Sequence, residues 1–382
     1  MLYIKNNANN PYFNTAAEEY ILENFENFHD DNIFMLWQNE PCVYLGANQN
    51  AYAEINLDYA AENNIKIVRR LSGGGCVYHD MGNINFSFFT DLSNININDN
   101  DINDIPGVSN SPNSPNLRKS QESQNEFILN FEYYTKPIIN ALQNLGIRAE
   151  LTGRNDLTVS GVKFSGNAQC VYTPKKNKHG GKKLLHHGTI LFDADMQKLS
   201  RVLNADEEKI KGRNVKSIKS RVTNLIDCLP ENQKISAGEF KNYIENYFIS
   251  ENQNNCKIYY FSREDIKNIQ CLADNYYYTD SFIYGSNLQY SFRNKKRFDF
   301  GTLEVCFNVR DSKIKDAKIY GDFFCGPKGA NGIKELENCL NGLSHDVNSI
   351  KKGLCNYLDM SHTCVNEFIK GCDICKFLEL FI

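Results

Sequence analysis

Three successive glycines, Gly73-Gly74-Gly75, follow Arg69, Arg70 and Ser72 and lead into Cys76-Val77-Tyr78 and then His79-Asp80-x-Gly82-Asn83. Glycine contributes no packing and costs backbone entropy, so such a run suits a place where main-chain N–H groups must approach a ligand closely. A row of amides can hold a phosphate or a carboxylate. The same run would also serve a plain tight turn. It matches neither G-x-x-x-x-G-K-[ST] nor G-x-G-x-x-G, so neither of those nucleotide loops is supported. Side chains alternate along a strand. One of the two arginines is therefore expected to face the site, where its fork of donors suits a phosphate. The other is left as a surface or structural charge.

A second cluster runs Gly153-Arg154-Asn155-Asp156-Leu157-Thr158, then Gly161-Val162-Lys163-Phe164-Ser165-Gly166-Asn167-Ala168. Gly161 predicts a hairpin turn that brings Lys163 back beside Asp156. A lysine among strand formers usually faces solvent. Turned inward, it needs an anion, which in a ligand site means phosphate or carboxylate. Asp156 could then hold Mg²⁺ beside that phosphate, although Asn155-Asp156 would equally make an ordinary turn. In His186-His187-Gly188-Thr189 the two imidazoles diverge if the run is a strand. With no H-E-x-x-H and no third ligand, a hydrogen-bonding histidine is the expected reading rather than a metal ligand. Ser220-Arg221-Val222-Thr223-Asn224-Leu225 would cap a helix or close the domain.

These strings need elements to position them. Thr15 and Glu18 have the spacing of a capping box, with Ala16, Tyr20 and Ile21 on one helical face behind it. Strand signals follow at 33–37, 42–45, 65–68 and 84–89. Residues 93–125, rich in Asn, Asp, Ser and Pro, read as a flexible surface insertion. A helix is expected from about Phe127 to Gly146, kinked or divided at Pro137. The basic run from Thr173 to Lys183 reads as a solvated loop, with a lid over a phosphate site as the alternative. An amphipathic helix at 235–249 closes a first domain of 1–252. Strands at 300–309 and 317–323 and helices from Ile333 onward make a small α+β second domain, 256–382.

At 382 residues, with 41% hydrophobic and 12% aromatic residues, the chain can build two cores. A net charge of −4 gives no electrostatic case for nucleic acid. No apolar run approaches the roughly 18–20 residues of a membrane span, and no targeting leader is visible. A cytoplasmic protein without membrane or nucleic-acid partners is expected. The thirteen cysteines sit mostly in apolar patterns, as buried thiols in a reducing compartment do. Cys372-x-x-Cys375 near His362 lacks the second pair a zinc site would want.

Taken jointly, RR-x-SGGG-x-V-x-HD-x-GN (69–83), GRNDL-x(5)-K-x-SG-x-A (153–168), HHGT (186–189) and SRVTNL (220–225) resemble the lipoate–protein ligase family. Phe300 to Phe324 is similar to its C-terminal accessory domain. The resemblance implies a mixed β-sheet catalytic domain with flanking helices, related to biotin ligases, plus a small α+β domain. It implies ATP-dependent formation of lipoyl-AMP, then transfer to a lysine of apo lipoyl domains of 2-oxoacid dehydrogenase complexes and of the glycine cleavage H protein. Lys163 is the implied catalytic residue, touching both phosphate and acyl carbonyl. Arg70, Gly75, Cys76, Val77, Tyr78, Asn83 and Asp156 would meet ATP, with Asp156 on Mg²⁺; Asn155 is a further candidate for phosphate or Mg²⁺ contact. Ser72, Gly73, Gly74, His79 and His187 would meet lipoate, and a monomer is expected. The alternatives are an octanoyl or lipoyl transferase of the same fold acting through Cys76 or Cys170, and a non-catalytic relative that binds lipoyl domains.

Overall fold

The computed structural model describes residues 1–92, 130–175, 181–204, 222–251, 256–285 and 290–381. The insertion at 93–125, the middle of the basic run and the Ser220-Arg221 pair lie outside the described residues.

An eight-stranded mixed sheet carries the site. Its strands are β1 (Leu2–Lys5), β2 (Asn32–Trp37), β6 (Asn83–Asp91), β7 (Ala149–Thr152), β8 (Asp156–Val159), β9 (Val162–Tyr172), β10 (Lys183–Leu191) and β11 (Lys257–Tyr260), in the order β11-β1-β2-β6-β10-β9-β8-β7. A second sheet, β4-β3-β5, joins β3 (Cys42–Leu45), β4 (Lys66–Arg69) and β5 (Val77–His79). Helix α1 (Pro11–Glu23) covers one face, sharing a core with Met35, Trp37, Leu45 and Phe89. Helices α2 (Phe131–Asn144) and α3 (Ala237–Glu251) cover the other, against Phe34, Phe86 and Ile190.

Helix α1 begins earlier than its sequence suggests. Asn10 Oδ1 caps it by accepting from the Tyr12 and Phe13 amides, and Pro11 occupies the first turn. Proline there loses no intrahelical hydrogen bond. Thr15 and Glu18 are thereby moved inside the helix and buried; Thr15 donates to Pro11 O at 2.8 Å instead of capping. Pro137 does not divide α2, which runs through it and ends at Gly146 with φ +80°.

The small unit pairs β12 (Phe292–Phe298), β13 (Gly301–Arg310) and β14 (Lys313–Gly321) in one antiparallel sheet. Helices α5 (Gly329–Leu340) and α6 (Val347–Ser361) share a separate core with it. Segment 257–284 does not pack there. β11 pairs in parallel with β1, and helix α4 (Arg263–Leu272) packs on α1 through Ile269, because Tyr20 donates to Asp265 at 2.7 Å. No helix among the described residues is long and apolar enough to cross a membrane.

Candidate active site

The glycine loop between β4 and β5 is shaped by arginines that turn inward. Arg69 donates to Gly46, Ala47 and Gln49 carbonyls and to those of Phe282 and Ile283. Burial lowers its pKa to about 10, so it stays cationic. It is no surface charge. Arg70 makes four hydrogen bonds: Nε to Ser72 Oγ, Nη1 to Tyr44 O, and Nη2 to the Gly73 and Gly75 carbonyls. The guanidinium expected to face a phosphate lines the cavity beside the loop and also holds the loop in shape. Its carbonyl grip turns main-chain groups of the loop to fixed positions around the cavity edge.

That cavity encloses about 140 Å³. Trp37, Tyr44, His79 and Asn85 form its aromatic and polar end, and Gly74, Gly75, Cys76 and Val77 form one side. Lys163, Asn155, Gly166 and His187 stand around the rest, and Phe324 of the small unit completes it. Ser72, Gly73, Tyr78, Asn83 and Asp156 are not among the lining residues. Ser72 sits behind His187, its Oγ 2.6 Å from Nε2. Asn83 stands behind Asn85, donating to Asn85 Oδ1 at 2.8 Å. Tyr78 turns its ring into the core.

Lys163 lies on β9 just past the Ser160-Gly161 turn, where φ is +50° and +77°. A register shift at Leu157/Thr158 lets the hairpin twist, and Lys163 Nζ meets Asp156 Oδ1 at 2.7 Å. Both side chains are about one-third exposed. The ammonium passes 3.1 Å from where a Gly166 Cβ would stand; a larger residue there would push it aside. Thr223 N donates to Lys163 O at 2.8 Å, and Asn224 clamps the Ala194 peptide through both its side-chain atoms. The described part of the SRVTNL string thus braces the lysine-bearing strand. In the HD-x-GN string Asp80 accepts from the Gly82 and Asp195 amides, which makes it a structural turn.

The adjacent histidines diverge as a strand requires. His186 is boxed by Phe86, Phe131 and Tyr134 on the far face, and burial holds its pKa well below the ordinary value. His187 faces the cavity and bonds through Nδ1 to Glu18 Oε1 at 2.9 Å. His79 accepts from Asn39 Nδ2 at 3.2 Å. Its Nε2 and Asn85 Nδ2 have no hydrogen-bond partner among the described residues. Burial, then the Arg70 and His187 charges, lower the His79 pKa to about 3, so it offers a neutral ring. Cys170 is buried and Cys76 half-buried at the cavity wall, and desolvation pushes both thiol pKa values up. They stay protonated and are poor nucleophiles. Among the described residues no group of three or more His, Cys, Asp or Glu side chains could hold a metal ion.

Glu18, Trp37, Tyr44 and Phe324 were not legible as site residues. Glu18 carried the one available signal, a carboxylate on the helix stripe that also bears Ala17, Ile21 and Leu22, all buried. The glycine loop also touches the small unit. Gly74 N donates to Phe323 O at 3.2 Å, and Arg154 donates to Phe300 O at 2.6 Å while stacking on Phe324 at 4.3 Å.

Both units of the chain are similar to known proteins. Residues 10–104 and 113–249 match the lipoyl protein ligase A/B catalytic domain, and 287–380 match the bacterial lipoate protein ligase C-terminus. Lipoate–protein ligase 1 of Staphylococcus aureus is 36% identical, covering 94% of each chain. Lipoate-protein ligase LplJ of Bacillus subtilis is 33% identical over 91% of each. The crystal structure of P. falciparum LipL1 in complex with lipoate superposes with a TM-score of 0.68 at 25% identity, covering 94% of this chain and 97% of that one. A lipoate-protein ligase A bound with ATP shares the fold, with a TM-score of 0.53 at 22% identity over 74% of this chain and 98% of its own. With both units matched, a relative 36% identical over 94% of each chain, and the glycine loop, Lys163, His79 and His187 around one cleft, the chain belongs to the lipoate–protein ligase family.

Proposed function

We propose that this chain activates lipoate with ATP and transfers the lipoyl group to a lysine of apo lipoyl domains. The observation that carries the reading is Lys163, paired with Asp156 at a cavity that Gly74, Gly75 and Cys76 of the glycine loop also line. The lipoate carboxylate attacks the α-phosphate of ATP; the bond to pyrophosphate breaks and lipoyl-AMP forms. The neutral ε-amine of the acceptor lysine then attacks the acyl carbon, AMP leaves, and the amine proton passes to solvent. Both steps build negative charge on oxygen, first on phosphorus and then at the carbonyl. A fixed cation beside both atoms stabilises that charge without reorganising.

Lys163 would supply that cation, and its half-exposed position leaves it free to exchange Asp156 for a phosphate. Gly75, Cys76 and Val77 would meet the nucleotide through backbone. His79 and Asn85 would offer unpartnered donors, and His187 would wall the acyl site with Gly74. Arg70 would shape the loop and face the phosphates at the cavity it lines, while Ser72 and Gly73 would act by shaping the loop. Asn83 and Tyr78 would support it from behind. Asp156 is a single carboxylate, which suits Mg²⁺ that arrives on phosphates and keeps most of its waters. The large unit would carry catalysis and the small one an accessory role. A cytoplasmic monomer acting on 2-oxoacid dehydrogenase acyltransferase subunits and the glycine cleavage H protein is the reading in full. Transfer through a cysteine thioester is disfavoured by the raised pKa values of the Cys76 and Cys170 thiols.

The test is lipoylation of an apo lipoyl domain by the full chain. Labelling should require ATP and lipoate together. Labelling from an acyl-carrier thioester without ATP, abolished by Cys76→Ser or Cys170→Ser, would overturn the proposal.

A further inference from the structure

Glu18 is fully buried at the middle of α1, far from solvent that could hydrate a carboxylate. Such a group persists only where donors and an opposite charge compensate it. Three donors reach it: Ser87 Oγ at 2.6 Å and His187 Nδ1 at 2.9 Å on one oxygen, and Tyr44 OH at 3.2 Å on the other. Ser87 in turn accepts from Trp37 Nε1 at 2.8 Å.

The hydrogens along the His187 branch can be assigned. An ionised carboxylate only accepts, so Nδ1 of His187 must be the donor. Beyond the ring, Ser72 Oγ lies 2.6 Å from Nε2 but 3.4 Å from Gly73 O. The hydroxyl hydrogen therefore goes to Nε2, which accepts. Arg70 Nε donates into the same hydroxyl at 3.0 Å. Every donor points the same way: Arg70 to Ser72, Ser72 to His187, His187 to Glu18. A cation and an anion are thus joined through a hydroxyl and an imidazole, all four residues being buried. The remaining Arg70 donors hold the Gly73 and Gly75 carbonyls, so the chain ends on the glycine loop.

We propose that Glu18 is a positioning residue whose carboxylate selects the Nδ1–H tautomer of His187 and, through Ser72 and Arg70, sets the shape of the glycine loop. Its effect on turnover rests on the ligase reading; its effect on the tautomer does not. Replacement by leucine keeps the approximate size of the side chain but leaves Nδ1 without an acceptor. His187 would then carry its proton on Nε2 and oppose the serine, which already accepts from Arg70.

Histidine side-chain ¹⁵N spectra of the full chain test this, since only seven histidines contribute and His187→Gln identifies the resonance. The wild type should show a protonated Nδ1 and an unprotonated Nε2, and Glu18→Leu should reverse them. Adenylate formation by Glu18→Leu should fall roughly ten- to a hundredfold, the loss of one charge-assisted buried hydrogen bond. A protonated Nε2 in the wild type overturns the proposal without any variant, even if Glu18→Leu does not fold. A reversed tautomer with undiminished adenylation overturns the link to the loop. A wild type that makes no adenylate refutes the ligase reading and leaves the tautomer assignment standing.

Discussion

Lys163 reaches the cavity as a single point charge balanced by Asp156, whereas Arg70 makes three hydrogen bonds to its own loop and a fourth to Tyr44 O on β3. Two predictions separate these roles. Lys163→Ala should reduce both pyrophosphate release and transfer from preformed lipoyl-AMP by about 10²–10³-fold, the usual effect of losing one oxyanion-type contact. Its melting temperature should be little changed, and wild-type transfer in that variant would remove the assigned role. Arg70→Lys, by contrast, cannot fork between carbonyls. It should lose about 1–3 kcal/mol of stability, the cost of an unsatisfied buried acceptor, read from urea unfolding. Lys163 and the glycines were legible because their strings are local. Glu18 was not, since its partners Ser87 and His187 are 69 and 169 residues away and only the folded sheet brings them together.

Among the elements, the glycine loop shows which positions need glycine and why. A Cβ at Gly73 would stand 2.3 Å from Phe323 O, while one at Gly75 would meet nothing within 4 Å. Gly74 has φ +92°, a conformation that side chains rarely adopt. Gly73→Ala should therefore lower stability and loosen the small unit. Gly75→Ala should leave the melting temperature unchanged yet raise KM for ATP several-fold, because its methyl group enters cavity space. Unchanged kinetics in Gly75→Ala would show that this part of the loop does not face the nucleotide. The strands bearing the motifs were readable from alternation and turn residues. The start of α1 was misread because Asn10-Pro11 and Thr15-x-x-Glu18 are both N-terminal signals, and burial of Thr15 and Glu18 decided between them. Segment 257–284 was assigned to the second domain by the end of the motifs, but its apolar faces fit the first core.

For the whole molecule, the small unit's Phe323 and Phe324 press on the loop, with Arg154 stacked between the units. Arg154→Ala should speed hydrogen exchange at Gly74 N and at Gly321 N, the latter bonded to Asn48 O at 2.9 Å. Unaltered exchange at both would show that Arg154 does not hold the units together. Acid should also weaken the fold. His79 and His186 are held neutral by burial, with pKa values below the ordinary 6.5, about 3 for His79. The unfolded chain binds protons at these positions first, so stability is full above about pH 6.5 and falls as pH drops toward 3. His186→Phe, which fits an aromatic box, should flatten that dependence in urea midpoints measured between pH 7 and 4.

Whether the cleft between the glycine loop and Lys163 makes an acyl-adenylate is decided by giving the purified chain ATP, Mg²⁺ and lipoate with no acceptor protein. One pyrophosphate should be released per active site and lipoyl-AMP recovered from the protein, both lost in Lys163→Ala. Absence of any adenylate from folded wild-type protein under these conditions would contradict the ligase reading.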